Sequence, residues 1–296
     1  MSWEKITEQQ NLLSTNIDTN STLEILSIIN NEDAGVPSAI QNTIPHIEAF
    51  IDALVPKIQS GGRLFYVGTG TSGRLGVLDA AECPPTFSTN PDMVQGIIAG
   101  GYDALVKSIE GAEDIPADGA AAILNYEIKA EDVVLGITAS SSTPYVLGAL
   151  EKAKEIGAMT GLLLCNSPPK LKYVDHIISV IVGPEVITGS TRMKAGTATK
   201  MVLNMITTTL MIKLNKTYGN LMVDLKASND KLWDRGTRII EHLTDLNYDE
   251  ALNILKSADG EVKTAVVMEK LNVGVEAARD RLRNHKGSLK DVFIKK

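Results

Sequence analysis

Hydrophobic positions change period several times along the chain, and each change marks an element. Apolar residues recur at three- and four-residue spacing from about Ser21 to Asn31 and from about Pro37 to Gln59, which predicts two helices. Ser21-Thr-Leu-Glu24 opens the first with the pattern of a capping box. Gly61-Gly62 ends the second. Beyond it, short β-rich runs at 64–67, 94–98, 132–137, 159–165 and 176–181 alternate with helical stretches at about 73–82, 101–110, 117–126 and 144–157. A long helix, about Ala195 to Lys216, follows the last run. This alternation predicts an α/β layered fold with a mainly parallel sheet flanked by helices. Past about Ser228 the β signal disappears, and 230–296 read as several short, charged helices. The expected organisation is an N-terminal helical segment (1–60), an α/β domain (61–228) and a small helical domain (229–296).

Size and charge narrow the classes. A chain of 296 residues can bury an ample core. Its formal net charge of −7 argues against nucleic-acid or anionic-membrane partners. Two cysteines, Cys83 and Cys165, give no disulfide framework, which fits a reducing compartment. The opening Met1-Ser-Trp-Glu-Lys-Ile6 lacks a leader's apolar core. The run His176 to Gly183 is strand-length, far short of the ~20 residues of a membrane span. The expectation is a cytoplasmic protein.

The candidate chemistry begins where the first β-rich run ends. Gly68-Thr-Gly-Thr-Ser-Gly73 joins that run to a helix, an arrangement that turns unpaired backbone N–H groups toward an anion. Thr69, Thr71 and Ser72 add hydroxyls that can donate to phosphate oxygens. The loop lacks the lysine of a Walker loop, and no acidic residue sits at the end of the next strand to hold a ribose. Its bland alternative is a tight turn with no ligand. A second loop has the same character: Ser140, Ser141, Ser142 and Thr143 precede Pro144, which opens the next helix. N-capping needs one hydroxyl, and four exceed it. Two such loops at strand C-termini can converge where open α/β sheets bind ligands.

The four histidines are scattered, and no spacing of Cys, His or Asp fits a metal, so neither metal nor cofactor is expected. A monophosphate held by hydroxyls and backbone amides points to a sugar phosphate. Glu82, beside Cys83-Pro84-Pro85, is a candidate acid at the far end of the first loop's helix. In Glu110-Gly-Ala-Glu-Asp114 the outer carboxylates read as solvated surface, while Glu113 follows a Gly-Ala break that can turn it inward. Arg279, Arg281, Arg283, Lys286 and Lys290 read as a solvated helix face rather than a binding patch.

These residues carry a resemblance over nearly the whole chain. Ser21-Thr-Leu-Glu24, Ile29-Asn-Asn-Glu-Asp33, Gly68 through Pro85, Glu110 through Asp114, Val186-Ile-Thr-Gly-Ser-Thr-Arg-Met-Lys-Ala-Gly-Thr-Ala198 and Gly219-Asn-Leu-Met-Val-Asp224 are similar to the N-acetylmuramic acid 6-phosphate etherases of the sugar-isomerase (SIS) fold. Carried over, Glu82 resembles the family's acid and Glu113 its base. One stretch departs. Where members have Ser-Gly-Arg-Thr-Pro, this chain has Ser140-Ser-Ser-Thr-Pro144, without a basic side chain.

The resemblance implies cleavage of a lactyl ether at C3 of the sugar by elimination and then water addition, giving D-lactate and N-acetylglucosamine 6-phosphate. The two carboxylates must then differ in protonation. A helix C-terminus and apolar neighbours favour a neutral Glu82, and a loop favours an ionised Glu113. Arg192 and Lys194, ahead of the long helix, stand as partners of the substrate's carboxylate or phosphate, or equally as ion-paired helix-end residues. Ten residues separate Ser72 from Glu82, ~15 Å along a helix, which exceeds the span from a sugar's phosphate to C3. The expectation is a homodimer with a shared site. Two other readings stay open: an aldose–ketose isomerase on the same fold, and a sugar-phosphate-responsive regulatory protein.

Overall fold

The computed structural model describes residues 5–294. The leader reading of residues 1–4 and the outermost ends of the expected terminal segments lie outside them. Three 3₁₀ turns, Ile6–Glu8, Leu12–Ser14 and Ile17–Thr19, precede helix α1, Thr22–Asp33. The capping box forms: the Glu24 carboxylate accepts from Ser21 N at 2.7 Å, and Ser21 Oγ accepts from Glu24 N at 3.4 Å. The helix expected over Pro37 to Gln59 is two, α2 (Val36–Gln41) and α3 (Ile44–Gln59). Pro45 has no N–H with which to continue the ladder back to Gln41, so the chain breaks at Asn42-Thr43.

There follow β1 (Leu64–Gly68), α4 (Gly70–Phe87), β2 (Val94–Ile98), a 3₁₀ turn (Tyr102–Leu105), α5 (Pro116–Asn125), β3 (Val133–Thr138), α6 (Pro144–Ile156), β4 (Met159–Leu164), β5 (His176–Ser179) and α7 (Lys194–Lys213). The five β-rich runs are the five strands, in one all-parallel sheet of order β2-β1-β3-β4-β5. Gly68 lies in register with both Ile98 and Ile137, so β1 and β2 end level and β3 one residue beyond them. The order reverses between β1 and β3. Ligands of open parallel sheets collect at such a switch point, beyond the strands' carboxyl ends. Both hydroxyl-rich loops leave the sheet there.

Strands β1 and β3 are buried throughout, as a sheet covered on both faces requires. Phe65, Val67 and Val134 pack with Ile123 of α5 and with Val146 and Leu150 of α6. On β4 a Cβ at Gly161 would stand 2.9 Å from both Phe50 Cε2 and Leu135 Cδ1, so the glycine admits the ring of α3.

Two helical expectations are corrected. The helix over 101–110 shrinks to one 3₁₀ turn, because Gly100 and Gly101 take φ of 82° and 69°. Helix α4 starts at Gly70 and runs through Pro84 and Pro85, whose fixed φ suits a helix although each forfeits a hydrogen bond. It ends where Ser88 N donates to Pro84 O at 2.9 Å and Ser88 turns to φ 47°.

At the opposite edge of the sheet, Arg63 Nη2 lies 2.7 Å from Asp132 Oδ2, and the backbone N–H groups of Arg63 and Lys129 also donate to that carboxylate. Burial alone would raise the Asp132 carboxyl, but these bonds hold it below the ordinary carboxylate range. A depressed folded value means stability that is present above about pH 4 and lost as pH falls through that value. Asp132→Asn should therefore flatten the acid limb of the Tm–pH profile; an unchanged limb would remove Asp132 from it.

The described residues form two compact units: those up to Ala81 with Pro91–Thr207, and Glu82–Asn90 with those from Thr208 on. In the second, α8 (Asp230–Leu243), α9 (Tyr248–Ser257), α10 (Val262–Leu271), α11 (Val275–Asn284) and α12 (Leu289–Phe293) share a core that includes Val223, Leu225, Ile240, Leu255 and Val266. Of the cations read as a solvated face, Arg279 is neutralised locally: it reaches Asp259 at 2.8 Å, Glu276 at 3.0 Å and Glu261 at 3.1 Å. No helix among the described residues is long and apolar enough to cross a membrane.

Candidate active site

The first loop is built by close approach. A Cβ on Gly73 would stand 2.7 Å from Ile98 Cγ1 and 2.8 Å from Gly68 O, so the first turn of α4 rests directly on the ends of β1 and β2. Gly70, at φ 47°, makes the turn itself. Thr69, Thr71 and Ser72 are half-buried here, with the helix N-terminus beside them. Gly73→Ala should cost ~1–3 kcal/mol, because the Gly68 backbone as well as the Ile98 side chain fills the space. Urea titration checks this; an unchanged midpoint would mean that the strand end yields freely.

Glu113 joins the two loops. Thr69 Oγ1 donates to Glu113 Oε2 at 3.2 Å, and Tyr145 N, in the first turn of α6, donates to Glu113 O at 3.0 Å. A cavity of about 220 Å³ opens beside it, lined by Thr69, Gly70, Arg74, Ala99, Ser108 and Glu113 among others. Arg74, which sequence reading passed over, fixes the far wall: its guanidinium donates to Leu105 O at 3.2 Å and Lys107 O at 2.9 Å. The only clue to it in sequence was its place in the helical turn after the glycine loop. Glu110 and Asp114 are exposed, as expected; Glu113 is exposed as well, so the Gly-Ala break turns it to Thr69 without burying it.

In the second loop Thr138 and Thr143 share a hydroxyl hydrogen bond of 2.6 Å, with Ser140 Oγ 3.4 Å from Thr138 Oγ1. Ser141 takes φ 70°, an uncommon conformation for a residue with a Cβ, and it turns the chain into α6. Ser142 is exposed, and its Oγ accepts a hydrogen bond from Lys5 Nζ. That lysine lies 137 positions away, and nothing local in the sequence marks it.

The N-terminus of α7 also approaches the first loop, since a Cβ on Gly196 would stand 3.5 Å from Thr71 Cγ2. Its first amides are already engaged: Lys194 N and Ala195 N each donate to the Glu185 carboxylate at 2.9 Å. Burial raises that carboxyl, and the two N–H donors partly offset the rise. Lys194 is buried, with its ammonium 2.5 Å from Glu32 Oε2, and Asn11 Nδ2 donates to the same oxygen at 2.6 Å. Of its two readings the structure thus displays the ion pair. Arg192 is exposed. Asp79 on α4 is buried and accepts from Asn204 at 2.7 Å, Tyr66 at 3.1 Å and Thr207 at 3.2 Å, which ties α4 to α7.

Glu82 needs a correction. Its sequence context predicts a helix C-terminus in apolar surroundings, yet α4 continues to Phe87 and the side chain is exposed. Its neighbour Cys83 is the buried residue. Among the described residues no group of three or more His, Cys, Asp or Glu is gathered as a metal site.

A model of the glucokinase regulatory protein N-terminal SIS domain matches residues 46–154, which span β1 to β3 and both loops. Over 290 residues the chain is 48% identical to an N-acetylmuramic acid 6-phosphate etherase of Pectobacterium atrosepticum, covering 98% of this chain and 96% of that one. The chain belongs to the N-acetylmuramic acid 6-phosphate etherase family. The etherases of Salinibacter ruber (51% over 278 residues, 93% of this chain and 89% of that one) and Clostridium acetobutylicum (51% over 292 residues, 98% and 95%) agree. Identity at this level over both chains extends well beyond the SIS core.

Proposed function

We propose that the chain is an N-acetylmuramic acid 6-phosphate etherase, a carbon–oxygen lyase that releases D-lactate and leaves N-acetylglucosamine 6-phosphate. The observation that carries this reading is Glu113 hydrogen-bonded to Thr69 at the switch point, within a chain half identical to enzymes of that name. The phosphate rests on the α4 loop (Thr69, Thr71, Ser72) and the α6 loop (Ser140, Ser141, Ser142, Thr143), where backbone amides and hydroxyls donate to its oxygens. Arg192 serves the substrate's lactyl carboxylate.

The chemistry follows from the open-chain sugar. C2 lies next to the aldehyde, so its proton is acidic, and C3 carries the ether in the position to be expelled. Glu113 removes the C2 proton as general base. Glu82 protonates the departing lactyl oxygen, because an ether is otherwise a poor leaving group. The resulting unsaturated aldehyde takes water at C3. An isomerase would share the first step and need no acid at C3.

Glu82 comes, in this reading, from the second subunit of a homodimer. Twelve residues separate it from Gly70 on a continuous helix, ~18 Å by helical rise. One turn before it on the same face stands Leu78, 51% exposed, an apolar side chain that a subunit contact would cover. Incubation with N-acetylmuramic acid 6-phosphate should yield D-lactate and N-acetylglucosamine 6-phosphate in equal amounts. A ketose product with no lactate would replace this reading by the isomerase.

A further inference from the structure

The loop before α6 carries hydroxyls but no charge, and a phosphate monoester brings close to two negative charges at neutral pH. Hydroxyls and amides alone compensate such an anion poorly once water is displaced. The structure brings a cation from elsewhere: Lys5 Nζ donates to Ser142 Oγ.

The lysine is held in place by buried groups. Ile6 N donates to Asn166 Oδ1 at 3.3 Å, and Asn166 Nδ2 donates to Thr7 Oγ1 at 3.1 Å. Thr7 is 0% and Asn166 3% exposed, so this is an internal clamp and not a surface encounter. Asn166 lies two residues past β4, at the same carboxyl edge of the sheet as the two loops. Lys5 is therefore fixed by the residue next to it in the chain.

Resting on the proposed sugar-phosphate site, we infer that Lys5 is a phosphate-binding residue, lending the α6 loop the positive charge that the loop lacks. An ammonium has three donors; among the described residues Ser142 takes one, which leaves two for phosphate oxygens. The same bond acts through the serine. A hydroxyl that accepts from a cation becomes a stronger donor, and Ser142 then turns its own proton toward the phosphate. The bland alternative is a staple that merely holds the N-terminal segment.

The two are separated by titrating N-acetylglucosamine 6-phosphate and unphosphorylated N-acetylglucosamine into wild type, Lys5→Met, Lys5→Arg and Lys5→Met/Ser142→Arg, with melting curves for each. Loss of a charge-assisted contact should weaken the phosphosugar about tenfold in Lys5→Met, with Tm little changed and the unphosphorylated sugar unaffected. Lys5→Arg should recover most of the affinity, and Ser142→Arg, which places a cation in the loop itself, should rescue the Met variant. Wild-type binding that survives Lys5→Met within twofold would overturn the inference and leave the proposed function intact. So would a loss that tracks a fallen Tm, or no rescue by either arginine. If wild type itself ignores the phosphosugar, the proposed function falls and the role of Lys5 falls with it.

Discussion

Glu113→Gln should reduce D-lactate release by about 10²–10⁴-fold, the range a positioned general base supplies, and should also abolish exchange of the C2 hydrogen with solvent deuterium. Glu82→Gln should stop lactate release comparably while C2 exchange continues, because proton removal precedes loss of the ether and needs no acid at C3. Mass spectrometry of recovered sugar in D₂O, run beside a lactate assay, reads both steps. Exchange surviving in Glu113→Gln would move the base elsewhere, and full turnover in Glu82→Gln would remove that residue from the mechanism. The variants also test how the site is shared. If Glu113 of one subunit works with Glu82 of the other, subunit exchange between the two dead variants builds one intact site per hybrid dimer. Random pairing then restores about a quarter of wild-type activity. A site contained within one chain restores none.

The second large effect is on stability. Glu32→Ala should cost ~3–5 kcal/mol, because it leaves the Lys194 ammonium buried without its counter-charge. Burial by itself would raise the Glu32 carboxyl, yet the bonds from Lys194 and Asn11 bring it below its ordinary value, so the carboxylate is ionised at neutral pH. Replacing both partners in Glu32→Leu/Lys194→Met should recover much of the loss, since two apolar groups need no compensation. Chemical denaturation of the two single variants and the double variant closes the cycle. A double variant as unstable as the singles would mean that the segment needs the charges themselves. This pair also explains why Lys194 read ambiguously: a lysine at a helix start serves phosphate or carboxylate equally well until its neighbour is known, and Glu32 lies 162 positions away.

Much was legible because its cause is local. The Ser21–Glu24 box spans three residues, so its two reciprocal bonds follow from their spacing alone. The strands announced themselves as short apolar runs because a sheet covered on both faces buries every side chain of a central strand. The glycine loop was readable for the same reason, since Gly68 and Gly73 meet within five residues. Elsewhere local rules conflict. Two prolines after Glu82 suggest a helix end, but their fixed φ is helical, and α4 carries the lost hydrogen bonds and the crowded carbonyls one turn back to reach Phe87.

The sequence by itself determined the five strands and most of the helices, both hydroxyl-bearing turns and the two glutamates, since periodicity, turn chemistry and residue identity all act within a few positions. Tertiary structure decided what meets: the strand order that sets β1 beside β3, Thr69 against Glu113, Lys194 inside an ion pair, and Lys5 above Ser142. Those contacts join residues up to 162 positions apart, and no local preference of the backbone encodes which distant side chain will fill a given space once the core has closed.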